Sequence, residues 1–317
     1  MNHRLTAIIL ALSLALPLRS QTTAEEPLVF TPQWTAQAQF AGYYVALEKG
    51  FYADEGLNVV LDHPNASRSA LERVRNNQSQ VTTLPLPQAI EALDQGMDLV
   101  NILQTSMNSS LMIVSRRGVN PASQKGARVA SFRAGYSQLA KAAAQEMGLE
   151  FEWLETAGML NLFIAGAVDA SLAMSYNEYF QFLQTGLIER DQSIVLRFRD
   201  IGYNIQEDGL YMTRKEFQKN PERALKFARA SQKGWEWAAY HPEEAMEIVM
   251  KQVRKNHIAT NPTLQRLMLQ EILDSMEDFE TGEREYLLRE DMFDAVESLM
   301  LRNGITGKPH TVKELLP

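Results

Sequence analysis

The strongest constraint on this chain is an alternation. Short apolar runs rich in β-branched residues take turns with stretches of helical spacing. Leu28-Val29-Phe30 opens as a strand. Residues 37–49 then set Phe40, Tyr43, Tyr44 and Leu47 at helical spacing, and Gly50 ends the helix. Strands are expected at 57–61, 81–84, 99–103 and 111–114, with helices over 67–76 and 87–94 between them. The series then restarts, with strands at 128–132, 151–154, 170–174 and 194–198 and helices over 136–147, 158–165 and 179–183. Such alternation predicts an α/β chain of parallel sheets covered on both faces, in two lobes. From Pro221 the pattern changes to four helices over 222–240, 242–253, 262–276 and 283–301, three of them with Pro near the start. Each has only one apolar stripe, so the block is expected to pack on the first lobe. The expected division is 27–108 plus 209–317 for lobe 1 and 109–208 for lobe 2, with crossings near Asn108 and at 206–209 forming a hinge.

Residues 1–24 read as a signal peptide. Arg4 supplies the positive start, 5–16 the apolar run, Pro17 the break, and Thr22-Thr23-Ala24 small residues before a cut near Ala24. The run is shorter than the about 20 apolar residues a membrane span needs. An exported, periplasmic protein is therefore expected, the alternative being a signal anchor that stays attached. With 317 residues and 45% hydrophobic composition, a sizeable core needs no covalent staples, and there is no cysteine to supply one. A formal net charge of -8 argues against nucleic acid as a partner.

Open sheets bind ligands beyond the carboxyl ends of their strands. The residues there are rich in amides, hydroxyls and rings, a mixture suited to a small flat polar solute. The candidates in the first lobe are Trp34, Gln37, Gln39, Phe40, Tyr43, Asn65, Leu84, Ser106 and Asn108. In the second they are Arg133, Gly135, Tyr136, Tyr176, Asn177 and Glu178, with Asp208 at the return crossing. Trp34 is equally a core filler, Arg133 a partner for a neighbouring carboxylate, and Glu178 a helix-start charge. One of Tyr43 and Tyr44 is expected in the core. His63 is read as a solvated strand-end residue.

Catalytic signatures are missing together. The five His residues have no metal-ligand spacing, there is no Gly-x-Ser-x-Gly elbow, and the Gly304-to-Pro309 stretch lacks the first Gly and the Ser or Thr of a phosphate loop. No cofactor is expected.

The stretch from Phe30 to Val59, with its Trp34, its Glu48-Lys49-Gly50-Phe51-Tyr52 and its Glu55-Gly56-Leu57-Asn58-Val59, resembles the opening of the NMT1/THI5-like (SsuA/THI5-like) family. Ser175-Tyr-Asn-Glu-Tyr179, Glu207-Asp-Gly-Leu-Tyr211, Asn220-Pro-Glu-Arg-Ala-Leu-Lys-Phe227 and His241-Pro-Glu-Glu-Ala245 extend the resemblance over 27–300. It implies a type II periplasmic-binding-protein fold and a monomeric receptor that feeds an ABC permease, with thiamin pyrimidine precursors, sulfonates or related solutes as ligands. A ring near the first strand stacks the pyrimidine in such binders, a part open to Trp34. One enzymatic branch of the family makes the pyrimidine with pyridoxal phosphate and iron. Its Lys and His fall where this chain reads Leu84-Pro-Leu-Pro-Gln88, and its Cys-rich motif has no counterpart here. A ligand-sensing module for a separate signalling partner is the alternative to transport.

Overall fold

The computed structural model describes residues 26–64, 69–132, 136–188, 195–279 and 281–317. The expected signal segment lies outside them. The chain begins with β1 (Leu28–Thr31), a single 3-10 turn at Ala38–Phe40, α1 (Ala41–Glu48) and α2 (Phe51–Asp54), then β2 (Val59–Leu61), α3 (Ala70–Arg75), β3 (Val81–Pro85), α4 (Leu86–Asp94) and β4 (Leu99–Gln104). Gly50 separates α1 from α2 at φ 80, a left-handed conformation that glycine adopts without penalty. Ser69 and Glu72 form a capping box that fixes the start of α3.

A first crossing, 105–110, leads to β5 (Leu111–Ser115), β6 (Ala127–Ser131), α5 (Tyr136–Glu146), β7 (Phe151–Glu155), α6 (Met159–Ile164), β8 (Ala170–Met174), α7 (Glu178–Gln184) and β9 (Val195–Arg197). The chain returns through 202–207 to β10 (Asp208–Thr213) and closes with α8 (Arg214–Lys219), α9 (Pro221–Tyr240), α10 (Pro242–Lys255), α11 (Pro262–Ser275) and α12 (Glu290–Arg302).

Two five-stranded sheets result, ordered β2-β1-β3-β10-β4 and β7-β6-β8-β5-β9. Neither is purely parallel, which corrects the sequence expectation. β10 runs antiparallel to β3 and β4, and β5 antiparallel to β8 and β9. The reason is topological. Each of these strands enters its sheet straight from a crossing instead of through a helix that returns the chain to the starting edge. β10 itself carries no helix-alternation signal and was not expected as a strand. The inner strands β3, β5 and β8 are buried along their whole length, as strands covered on both faces must be, and so is β4 although it stands at the edge of its sheet.

The C-terminal helices pack chiefly on the first sheet's layer. α9 lies on α1 so closely that a Cβ on Gly234 would stand 2.1 Å from the Gly42 carbonyl oxygen. A Cβ on Gly42 would stand 2.2 Å from the Trp235 ring. Phe30, Tyr43 and Trp235 follow one another edge to face at 4.9 and 5.5 Å between centroids, and Tyr52 stacks on Phe227 at 4.9 Å. α12 touches α4 of the first layer and α5 of the second. It starts at Glu290, later than the expected 283. Residues before it spend their backbone elsewhere: Gln104 N donates to the Tyr286 carbonyl, Gln206 Nε2 to the Leu287 carbonyl, and Arg289 N to Gln206 Oε1.

Candidate functional site

Because β10 is antiparallel, its first residue arrives at the carboxyl edge of β1, β3 and β4. Asp208 therefore stands opposite Pro85 at the end of β3. Two glutamines from the segment after β1 hold its carboxylate. Gln33 Nε2 donates to Oδ1 and Gln39 Nε2 to Oδ2, both at 2.7 Å. Gln37 Nε2 in turn donates to Gln39 Oε1 at 2.6 Å, so the second amide is itself oriented. The Asp208 carbonyl accepts from Thr105 N and Thr105 Oγ1 at 2.9 and 2.5 Å, tying β10 to the first crossing.

Glu207 sits between the two crossings. Its Oε1 accepts from Ser109 Oγ at 2.8 Å and Ser110 N at 2.9 Å, and its own N–H donates to Ser106 Oγ at 2.6 Å. Burial, with the nearby Asp208 charge adding to it, pushes the Glu207 carboxyl up to about 8.

From the other sheet comes Tyr176, in the turn after β8, where Ser175 N donates to the Ser110 carbonyl at 2.8 Å. Burial first, then the charges of Asp208, Glu207 and Glu178, hold the Tyr176 hydroxyl well above its ordinary range.

These groups border one small cavity between the two sheets. Gln39, Thr105, Ser106, Glu207 and Asp208 line one part, Tyr176 faces them, and Trp235, Ile272, Ser275 and Met276 close it. Its free space is about 10 Å³, room for about one water. Trp235 is 1% exposed, and its Nε1–H makes no hydrogen bond of good geometry although the Tyr43 hydroxyl is within reach. The Tyr43 hydroxyl lies beside it, also buried and also without a hydrogen bond of good geometry. A wider groove of about 370 Å³ opens further along α11, between Thr260, Asn261 and Leu264 on one side and Leu160, Gln181 and Thr185 on the other.

Of the residues singled out in the sequence, Gln39, Ser106, Tyr176 and Asp208 line the cavity, and Gln37 stands behind Gln39. Asn108 is at the first crossing, where its Nδ2 donates to the Glu277 carbonyl at 2.6 Å and its Oδ1 accepts from Asn204. Phe40, at the end of the 3-10 turn, and Leu84, within the fully buried strand β3, lie in the hydrophobic core. Tyr43 and Tyr44 are both buried, where only one was expected to be. Glu178 turns back on its own strand end, accepting from Met174 N at 3.0 Å and Asn177 Nδ2 at 2.9 Å. Asn177 is occupied within the same turn by Gln181. Trp34 is 58% exposed, with its ring outside the cavity lining. Its carbonyl bonds His63 Nδ1 at 2.7 Å, and His63 is buried, not solvated. Tyr136 opens α5. Asn65, Arg133 and Gly135 lie outside the described residues.

The lining residues that the sequence reading missed are Thr105, Trp235, Ile272, Ser275 and Met276. Four of them come from α9 and from α11 and its end, where an apolar stripe gives no sign of which member reaches a cleft. Glu207 stood out in the sequence only as part of a motif.

Comparison with known proteins follows this geometry. The family model described as NMT1/THI5 like matches residues 37–245. The riboflavin-binding protein RibY of Chloroflexus aurantiacus is 26% identical over 255 residues, 74% of this chain and 68% of that protein. The formylaminopyrimidine-binding protein of Halalkalibacterium halodurans is 20% identical over 297 residues, 87% of each chain. Among solved structures, the periplasmic aliphatic sulphonate binding protein SsuA from Escherichia coli superposes with a TM-score of 0.66 at 15% identity, covering 92% of both chains. The ligand binding component of an ABC-type import system from Staphylococcus aureus gives 0.68 at 9% identity, covering 92% of this chain and 96% of that one. These two likenesses concern the fold, which is that of the type II periplasmic binding proteins.

Proposed function

The chain belongs to the NMT1/THI5-like family, and from that premise we propose that it is the exported solute-binding receptor of an ABC importer. Its two lobes, 27–108 with 209–317 and 109–208, close on a small polar ring-containing solute, a thiamin pyrimidine precursor or a related nitrogen heterocycle. It binds this solute without converting it and hands it to a permease in the inner membrane. Crossings 105–110 and 202–207 serve as the hinge. The observation that carries the reading is the cavity whose wall comes from both sheets, with Asp208, the boundary residue that opens β10 of the first sheet, on one side and Tyr176, after β8 of the second, on the other. A solute that touches both stabilises the closed form over the open one. Relatives named for riboflavin and for formylaminopyrimidine support a nitrogen heterocycle. Export is supported by the leader-like 1–24. Among the described residues, no helix is long and apolar enough to cross a membrane.

A thermal-shift screen over pyrimidines, riboflavin, alkanesulfonates, amino acids and polyamines tests it. A solute at a hundredfold excess over its Kd adds about 2.7 kcal/mol of stability, an easily read rise in Tm. Failure of every class to raise the Tm would refute the receptor reading.

A further inference from the structure

Resting on the reading of 105–110 and 202–207 as a hinge, we propose that lobe 2 turns about one corner of the molecule, pinned by Glu146 to Arg302 and by Arg199 to Phe279, and that the solute enters at the far corner, through the groove between the end of α7 and the start of α11.

The pins come first. Glu146 ends α5 in the second lobe, and Arg302 ends α12 in the first. Glu146 Oε1 accepts from Arg302 Nε at 3.0 Å and Oε2 from Arg302 Nη2 at 3.1 Å, a two-pronged pair between the lobes. Oε1 also accepts from Asn303 Nδ2 at 3.1 Å, and Oε2 from the Tyr203 hydroxyl, on the second crossing, at 3.3 Å. Arg302 chiefly, then Asn303 and Tyr203, holds the Glu146 carboxyl below its ordinary value, so it is charged in neutral solution. An exposed ion pair alone adds little, but a carboxylate gripped from the other lobe and from the crossing forms a network that fixes position. Just before that crossing, Arg199 of the second lobe lies over the Phe279 ring of the first, 4.8 Å from its centroid. The two contacts flank the second crossing.

The far corner is built differently. α11 acts as a lever between hinge and groove. The carbonyl of its last residue, Ser275, accepts from Met107 N and Asn108 N of the first crossing at 2.8 and 3.0 Å. Its first turn borders the groove of about 370 Å³. Its 14 residues separate the two ends by about 20 Å. Polar side chains on the groove bond within their own lobe: Gln181 to Asn177, Thr185 to the Phe182 carbonyl, Thr260 to Gln265 and Asn261 to Leu264 N. Parting the walls breaks none of these bonds. A turn of about 15° at the hinge moves a wall about 20 Å away by about 5 Å. Ile272, Ser275 and Met276 of the cavity lie on the hinge-ward part of the same helix and beyond it, so a solute that passes the groove meets the cavity next.

Pulsed electron–electron resonance on the unliganded protein tests this. The chain has no cysteine, so each introduced pair carries the only spin labels. Gln184→Cys with Ala259→Cys spans the groove, and Gln145→Cys with Ala295→Cys spans the pinned corner; all four positions are exposed. The groove pair is expected to spread over at least about 5 Å and the pinned pair over no more than about 2 Å. Adding Glu146→Gln and Phe279→Ala is expected to broaden the pinned pair. The comparison of the two corners keeps both pins intact, so it stands even where that variant folds poorly. Equal spread at both corners, a wider spread at the pins, or a narrow distance at both overturns the inference, as does a folded double variant whose pinned pair stays narrow. None of these outcomes touches the receptor reading, which the thermal-shift screen decides.

Discussion

His63 and Glu207 are both buried titratable groups, and they pull stability in opposite directions with pH. His63 Nδ1 faces the Trp34 carbonyl, which only accepts, so Nδ1 carries the proton and Nε2 accepts from the Tyr44 hydroxyl at 2.8 Å. Burial lowers the folded His63 to about 4 from 6.5. Between those values the unfolded chain binds the extra proton, so stability is complete above 6.5 and is lost as pH falls through 4. The full loss is about 3 kcal/mol. Urea titrations from pH 7 to pH 4 are expected to show this acid limb in the wild type and a shallower one in His63→Gln. Glu207 has the reverse sign. Its folded carboxyl is raised from 4.5 to about 8, so its contribution is complete below 4.5 and is lost as pH rises through 8. Relative to wild type, Glu207→Gln is expected to gain stability between about pH 5 and pH 8 and to level off above that. A flat difference over that range contradicts the assignment. In the sequence His63 reads as a solvated strand end, because nothing local announces that Tyr44, 19 residues earlier, will cover it.

At the scale of elements, most helices and strands were legible because their apolar spacing is decided locally. The exceptions are instructive. β10 is a strand because β3 and β4 flank it, and residues 283–289 stay out of α12 because Gln104 and Gln206 claim their backbone groups. Both are tertiary overrides of local preference. The α1–α9 contact makes a prediction at this scale. Gly42 and Gly234 let the two helices approach to where a single methyl collides with backbone or with Trp235. Gly234→Ala is therefore expected to destabilise by about 1–3 kcal/mol despite alanine's better helix propensity. Chemical denaturation reads this directly. Asn261 caps α11 by accepting from Leu264 N at 2.8 Å. Asn261→Ala is expected to cost about 1 kcal/mol, visible as a lowered denaturation midpoint with an unchanged slope.

At the scale of the whole molecule, two crossings and the segment after α11 form one unit. Ser275 O accepts from Met107 N and Asn108 N on the first crossing, while Gln206 on the second reaches Leu287 and Arg289. Ser275 and Met276 also line the cavity. A solute there touches the wall and the crossings together. Hydrogen exchange is expected to slow on solute binding at 33–39, 105–110, 174–178 and 272–276, while α10, none of whose residues lines the cavity, keeps its rates. X-ray scattering is expected to show a smaller radius of gyration in the bound state. Protection spread evenly over the molecule, with no change of radius, contradicts hinge closure.

From sequence alone follow the α/β class, the restart of the strand series, the C-terminal helical block and the family resemblance. Each is written in short-range periodicity or in contiguous motifs. Four of the residues singled out in the sequence, Gln39, Ser106, Tyr176 and Asp208, meet in the structure around one cavity. The structure alone decided that Trp235 joins them and that Trp34 turns outward. Which member of an apolar stripe borders a cleft depends on how one helix crosses another. That crossing is set by residues distant in the chain, as Gly42 and Gly234 are, and leaves no local trace.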